Sequence, residues 1–198
     1  SKTKEICREI QEKTKEVMGF DVSMGIGKWV KKPEELIRSH DMAAQTLQYR
    51  YLLGGNLLID MEEQQPAQEI NLDEPLAELK EAMKTGQKEQ VDRALSTIEE
   101  EIRQALMEKS RACMYLQQVI RTMDNACEDV SADMDRIRED RDELLRQITD
   151  QKFFEDACKV VQKHTDRIFE ILSELNTSSS ERQARLAIDY IQKNYMDP

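Results

Sequence analysis

The stretch "KEQVDRALSTIEEEIRQALMEKSRACMYLQQVIRTM" (88–123) places an apolar residue at nearly every third or fourth position. Val91, Leu95, Ile98, Ile102 and Leu106 form the first run. Cys113, Leu116, Ile120, Met123, Cys127, Val130, Met134, Ile137, Leu144 and Ile148 extend it, with one polar interruption at Arg141. Steps of three and four put these side chains on one face of a helix. The phase then changes, and Phe154, Cys158, Val161, Thr165, Ile168, Leu172 and Leu175 form a second set. All six glycines lie at or before Gly86, and no proline occurs between Gly86 and Pro198. The chain therefore divides into an N-terminal part that can turn often and a long helical region. A two-stranded coiled coil and an antiparallel bundle both satisfy the pattern. Capping residues in "DNACED" (124–129) and Asp150 are the places for breaks, and they favour a bundle of shorter helices.

Working back from this region, the N-terminal part reads as helix, strand, helix, strand. Residues 2–18 suit a helix with Ile6, Ile10 and Val17 on one face and Gly19 just past its end. "FDVSMGIG" (20–27) alternates, so Phe20, Val22, Met24 and Ile26 share one side of a strand. Pro33 suits the first turn of a second helix, along which Leu36, His40, Ala43, Leu47 and Tyr51 recur. The apolar placement of His40 predicts a packed, hydrogen-bonded side chain. Gly54-Gly55 ends that helix, with one glycine at positive φ, and "NLLIDM" (56–61) reads as a short strand. Two strands are marginal alone, so the expectation is a larger sheet with further strands upstream or in a partner chain. The fold class is mainly α with a small α/β N-terminal portion, followed by a helical bundle or coiled-coil linker.

Two polar joints complete the plan. "EEQQPAQEIN" (62–71) lacks periodicity and contains a proline. Asp73 is the expected cap of a helix over 75–85, stopped by Gly86. "NTSSS" (176–180) is the second joint, with Ser178 and Glu181 spaced as a capping box before a last helix through Tyr195. The expected divisions are an α/β part over 1–61, a linker over 62–72, a helical signalling and dimerisation region over 73–176, and a final part over 177–198.

Composition narrows the function classes. A charged fraction of 35% with only 5% aromatics suits long amphipathic helices. The net charge of −11 repels nucleic acid and anionic lipid, so no DNA-binding residue is assigned within the chain. No apolar run approaches the ~20 residues that span a bilayer, and no signal-peptide core opens the chain, so a cytoplasmic location without membrane contact is expected. Cys7, Cys113, Cys127 and Cys158 form no C-x-x-C pair, and the last three occupy apolar positions. They read as buried free thiols.

Catalytic and cofactor signals are weak. A Walker A loop is absent, "GIG" (25–27) lacks the third glycine of a dinucleotide loop, and Gly54-Gly55 is followed by Asn56-Leu57 rather than an acidic pair. His164, among Lys163, Thr165 and Asp166, is expected on an exposed face, and two distant histidines do not make a metal site. "DMDRIREDRDE" (133–143) mixes charges at helical spacing, as a solvated face does. Trp29 follows the first strand and reads as a cap on the edge of the small core. No catalytic, cofactor-binding or metal-ligating residue is assigned, and no cofactor is expected.

Two stretches resemble known families. "VSMGIGKWVKKPEELIRSHDMAAQTLQYRYLLGGNLLID" (22–60) is similar to the C-terminal part of a GGDEF-type cyclase domain. The matching positions are Ser23 to Gly25, the helix from Pro33, and Gly54 with Asn56. It more closely resembles the degenerate form found before the DNA-binding domain of AraC-type regulators, through Ser39, Ala43, Leu47, Tyr49 and Arg50. The chain departs from that form at His40, Met42 and Thr46. "ARLAIDYIQKNYMDP" (184–198) is similar to the first helix of the AraC-type helix-turn-helix domain, through Ala187, Tyr190, Ile191, Asn194 and Tyr195. The resemblance implies a non-catalytic relay region of a two-component AraC-family regulator. An upstream receiver with its histidine kinase, or a membrane sensor, would supply the signal, and the recognition helices would lie beyond Pro198. A homodimer seam through Leu116, Ile120, Met123, Val130, Ile137 and Leu144 is expected. The competing readings are a cyclase-like nucleotide-binding or enzymatic domain and a passive coiled-coil spacer.

Overall fold

The computed structural model describes residues 2–60, 62–63, 69–129 and 134–195, with side chains described up to residue 175. The molecule is mainly helical with a two-stranded parallel sheet near its N-terminus. The helices are α1 (Lys2–Met18), α2 (Leu36–Thr46), α3 (Arg50–Leu53), α4 (Asp73–Thr85), α5 (Lys88–Gln104), α6 (Lys109–Asp129), α7 (Met134–Arg138), α8 (Arg141–Asp150) and α9 (Phe154–Tyr195). The strands are β1 (Met24–Ile26) and β2 (Leu58–Asp60), paired Met24 to Leu58, Gly25 to Ile59 and Ile26 to Asp60.

The α/β unit is assembled by small residues. A Cβ on Gly25 would lie 2.2 Å from the Ala43 carbonyl oxygen, and one on Gly27 would lie 2.0 Å from that of Ser39. Glycine therefore lets α2 pack directly on β1. The face of α2 turned inward is Ser39, Ala43 and Thr46, not the row through Leu36 and His40. His40 is exposed, 3.4 Å from Asp41, so the expected packed histidine is corrected. Leu36 and Ile37 are also exposed. On the other side, α1 presents Gln11, whose Nε2 donates to the carbonyls of Val22 (2.8 Å) and Leu57 (3.1 Å). Ile6, Ile10, Val17 and Phe20 stay exposed. Trp29, 79% exposed, caps no core. Apolar side chains on both α1 and α2 thus stay exposed on a small unit held together by backbone approach and polar ties.

The bundle is built differently. α4 ends as expected at Gly86, φ +67°, where the Gln87 N–H donates to Ala82 O at 3.0 Å. At its start Leu72, not Asp73, is the N-cap and carries no side-chain cap bond; Asp73 is the first helical residue, and its N–H donates to Asn71 Oδ1 at 2.8 Å. One continuous core joins Leu79, Met83, Val91, Ile98, Ile102, Ile120, Met123, Ile148, Phe154 and Ile168. The break between α5 and α6 falls at Leu106, a non-glycine residue at φ +47°, which the apolar pattern concealed. Conversely, α6 runs through "DNACED" to Asp129, and α9 is continuous through 176–180. The second joint is therefore not a helix break. The linker residues 64–68 and the seam residue Val130 lie outside the described residues, as do the side chains of 184–198.

Candidate functional site: the joint between the two parts

The α/β unit meets the bundle at α3, the last turn before Gly54. Tyr51 and Leu52 are 4% and 1% exposed, so this one turn is a plug in the bundle core. The Tyr51 ring meets Phe154, at the start of α9, edge to face with centroids 6.0 Å apart. Its hydroxyl lies 3.5 Å from Cys113 Sγ on α6. Lys109 Nζ sits 5.3 Å from the Tyr51 ring centroid and donates to the Gln151 carbonyl at 2.7 Å. Arg103, on α5, donates from Nη1 to the Leu52 carbonyl at 3.2 Å and lies 5.6 Å from the centre of the Phe154 ring. That bond satisfies one of the carbonyls left unpaired where a helix ends. Three helices of the bundle, α5, α6 and α9, thus grip a single turn.

The buried phenol and thiol of the joint are held protonated. Burial, with the Cys113 contact adding to it, pushes the Tyr51 phenol far above its usual range. Burial likewise raises the Cys158 thiol, with the nearby Glu99 carboxylate adding to it. The Glu99 carboxyl is itself raised by burial and partly held down by the Cys158 thiol and Arg103. Cys127 is pushed up by burial to about 11. A thiol held protonated is a packing group rather than a nucleophile. Cys113, Cys127 and Cys158 are buried free thiols, and Cys7 is half-buried. Beside the plug, a cleft of about 810 Å³ opens between α2, the start of α6 and the end of α8, with Arg50, Lys109, Asp150 and Lys152 on its walls.

A second polar cluster lies between α6, α7, α8 and α9. Asp124 is 2% exposed and its Oδ2 is 2.7 Å from Arg141 Nη1, yet neither oxygen has an aligned hydrogen-bond donor. Burial raises its carboxyl, against the lowering pull of Arg141 and Arg138. His164 is 8% exposed and its Nε2 has no partner. Burial, then Arg167 and Arg141, lower its pKa to about 4, so the ring is neutral at pH 7. The expected exposed position of His164 is corrected: the two histidines have exchanged environments.

The described residues of the expected dimer seam lie inside the chain. Leu116, Ile120, Met123 and Ile137 are buried in the single core, and Leu144 packs partly buried against it. In this conformation those side chains are covered by the chain's own helices. The positions shared with the cyclase-like motif serve packing. Ser23 Oγ accepts from the Leu57 N–H at 3.3 Å, Ser39 Oγ donates to the Lys28 carbonyl at 2.7 Å, and Gly54 and Asn56 take φ of +93° and +56° at the turn. Arg103, Lys109 and the role of Phe154 were missed in the sequence, because partners 42 and more residues apart leave no local signal. Among the described residues, no cluster of three or more His, Cys, Asp or Glu side chains is placed to hold a metal ion. No helix among them is long and apolar enough to cross a membrane. A scan against family models and comparisons with curated proteins and with solved structures each gave no match.

Proposed function

We propose that the chain is a non-catalytic signal-relay region of an AraC-type transcription regulator. It couples an upstream receiver or sensor to helix-turn-helix elements following residue 198, in a homodimeric regulator of the cytoplasm. The observation that carries this reading is the Tyr51–Leu52 plug. It ties the cyclase-like unit to the bundle through side chains rather than through a flexible tether. A displacement of α2 and α3 would be felt at Phe154, where the long α9 begins, and at Lys109 and Gln151. Two further features support it: motif residues engaged in local hydrogen bonds and turns, and the exposed apolar side chains on α1 and on α2, which suit docking against more protein.

Calorimetry with GTP and with cyclic di-GMP tests the competing cyclase reading, and no binding heat is expected. Micromolar binding lost on changing residues near Gly25 or Gly54 would overturn the proposal. The chain itself is expected to show no measurable affinity for duplex DNA at low salt. The chain extended through the next helices is expected to bind with a steep salt dependence.

A further inference from the structure

The segment from Met134 to Asp150 is attached to the bundle unlike any other part of it. Only Ile137 and Ile148 are deeply buried there, whereas α4 alone buries Leu76, Leu79, Ala82 and Met83. Met134 and Leu144 pack against the core only partly buried, and charge supplies the other ties. Arg136 reaches Glu174 at 2.9 Å, Arg138 reaches Glu128 at 3.3 Å, and Arg141 reaches the buried Asp124. Arg167 of α9 bridges Glu139 (3.4 Å) and Asp140 (3.0 Å) and donates to the Arg136 carbonyl.

The segment does not close fully onto α9. A cleft of about 740 Å³, open to solvent and rimmed by exposed charges such as Asp140, Glu143 and Lys159, runs between it and α9, with Ile137, Leu144, Val160 and His164 on its walls. Missing neighbours forfeit dispersion contacts, and unpaired buried polar atoms cost desolvation. Such atoms lie here: Asp124 Oδ1, Arg138 Nε and His164 Nε2, while Asp124 Oδ2 has the Arg141 ion pair but no aligned hydrogen bond. The segment ends at Gln151, which leaves the helix in an extended conformation, φ −60° and ψ 142°. The Gln151 carbonyl is held by Lys109, the residue that also covers Tyr51. One end of the segment is therefore pinned at the joint.

We propose that α7 and α8 form an electrostatically latched strap that opens as a unit, hinged near Gln151, while α4, α5, α6 and the first turns of α9 stay packed. Asp124 with Arg141 is the latch. Opening uncovers apolar surface on α6 and α9, including part of the row expected to pair two chains. The strap stands on the bundle's own geometry; only its use, releasing that row on a signal through the joint, rests on the relay reading.

Native-state hydrogen exchange on the whole chain tests it. Amides of 134–150 are expected to exchange at least about tenfold faster than those at the centre of α5, as a sub-global opening does. Raising salt from about 0.05 to about 0.5 M should speed strap exchange about threefold or more, because exposed pairs are screened, and leave α5 unchanged. Arg141→Met, which leaves Asp124 buried without its cation, should speed the strap about tenfold further with α5 again unchanged. Equal protection of strap and α5, or salt and variant effects of the same size in both, would overturn the proposal. The wild-type salt series decides the matter even if the variant does not fold. GTP binding or DNA binding by this chain would sink the relay reading and leave the strap standing.

Discussion

The helices α4, α5 and α6 and the strap α7–α8 bury themselves against the same core by opposite means. In the first group the inward positions are aliphatic almost throughout, and the ion pairs, such as Lys84 with Asp129 at 2.9 Å, sit outside. Where α6 faces the strap, charge lies inside instead: Asp124 of α6 is buried against Arg141 of α8, and an open cleft runs between the strap and α9. Full burial of an aliphatic side chain contributes about 1.5–3 kcal/mol, whereas an exposed ion pair contributes about 0–1 kcal/mol. The difference teaches that one continuous core need not be uniformly stable. A bundle can keep a firm half for structure and a loosely held half for response.

Ile120 and Ile137 offer the harshest way to break that contrast, since both are buried but belong to different halves. Ile120→Asp places a carboxylate in the firm half, at a cost of more than about 4 kcal/mol, and should abolish the cooperative thermal transition. Ile137→Asp should instead open the strap, leaving most helical circular dichroism and a melting transition in place. Equal collapse of both variants would erase the distinction between the halves.

Leu52→Ala probes the joint. Removing a fully buried Leu costs about 2–5 kcal/mol, measured by urea denaturation, and the loss should appear in both the α/β unit and the bundle. A transition that splits in two, with the bundle unchanged, would show that the plug is not part of the common core.

The histidines show what was legible in the sequence and what was not. The helices between Lys88 and Met123 were readable because apolar steps of three and four run through a stretch without glycine or proline. The facing of α2 was not. Its apolar row suggested His40 inside, but the approach allowed by Gly25 and Gly27 turns Ser39, Ala43 and Thr46 inward instead. His164 looked solvated from its charged neighbours in sequence, yet the arrival of α7 and α8 covers it. Leu106 occupies a left-handed conformation that no residue preference announces. The capping signals at 176–180 are worth only about 1 kcal/mol, and α9 runs on through them. The joint was the least visible element, because Arg103 and Lys109 find Leu52 and Tyr51 only once the chain has folded.

Burial of His164 carries a pH signature with a definite sign. Its folded-state pKa is lowered from 6.5 to about 4, so its contribution to stability is complete above pH 6.5 and is lost as pH falls towards 4. The full effect is at most about 3 kcal/mol. Asp124, whose carboxyl is raised chiefly by burial, acts in the opposite direction, since its protonation on acidification favours the folded form. The net fall should therefore be smaller, and hydrogen exchange should place it in the strap and α9 before α5. His164→Leu should flatten the stability profile between pH 6.5 and 4; an unchanged profile would show that another group titrates there.

The smallest effect belongs to Leu106. Left-handed backbone costs a branched residue about 1–2 kcal/mol, so Leu106→Gly relieves strain while losing a half-buried side chain. The expected change in the urea midpoint is within about 1 kcal/mol of zero. A loss well beyond that would make Leu106 a packing residue of the firm half.

Coupling across the Tyr51–Leu52 plug is the central claim, and Gly25→Ala tests it most directly. The added methyl must displace the Ala43 carbonyl, so it disturbs α2 from the far side of the joint. Amide exchange is then read over 109–117 and 154–161, at the starts of α6 and α9, in wild type and variant. The predicted result is loss of protection in both bundle segments, and abolition of that effect when Leu52→Ala is already present. Loss of protection confined to α1, β1, α2 and β2, with both bundle segments unchanged, would contradict it.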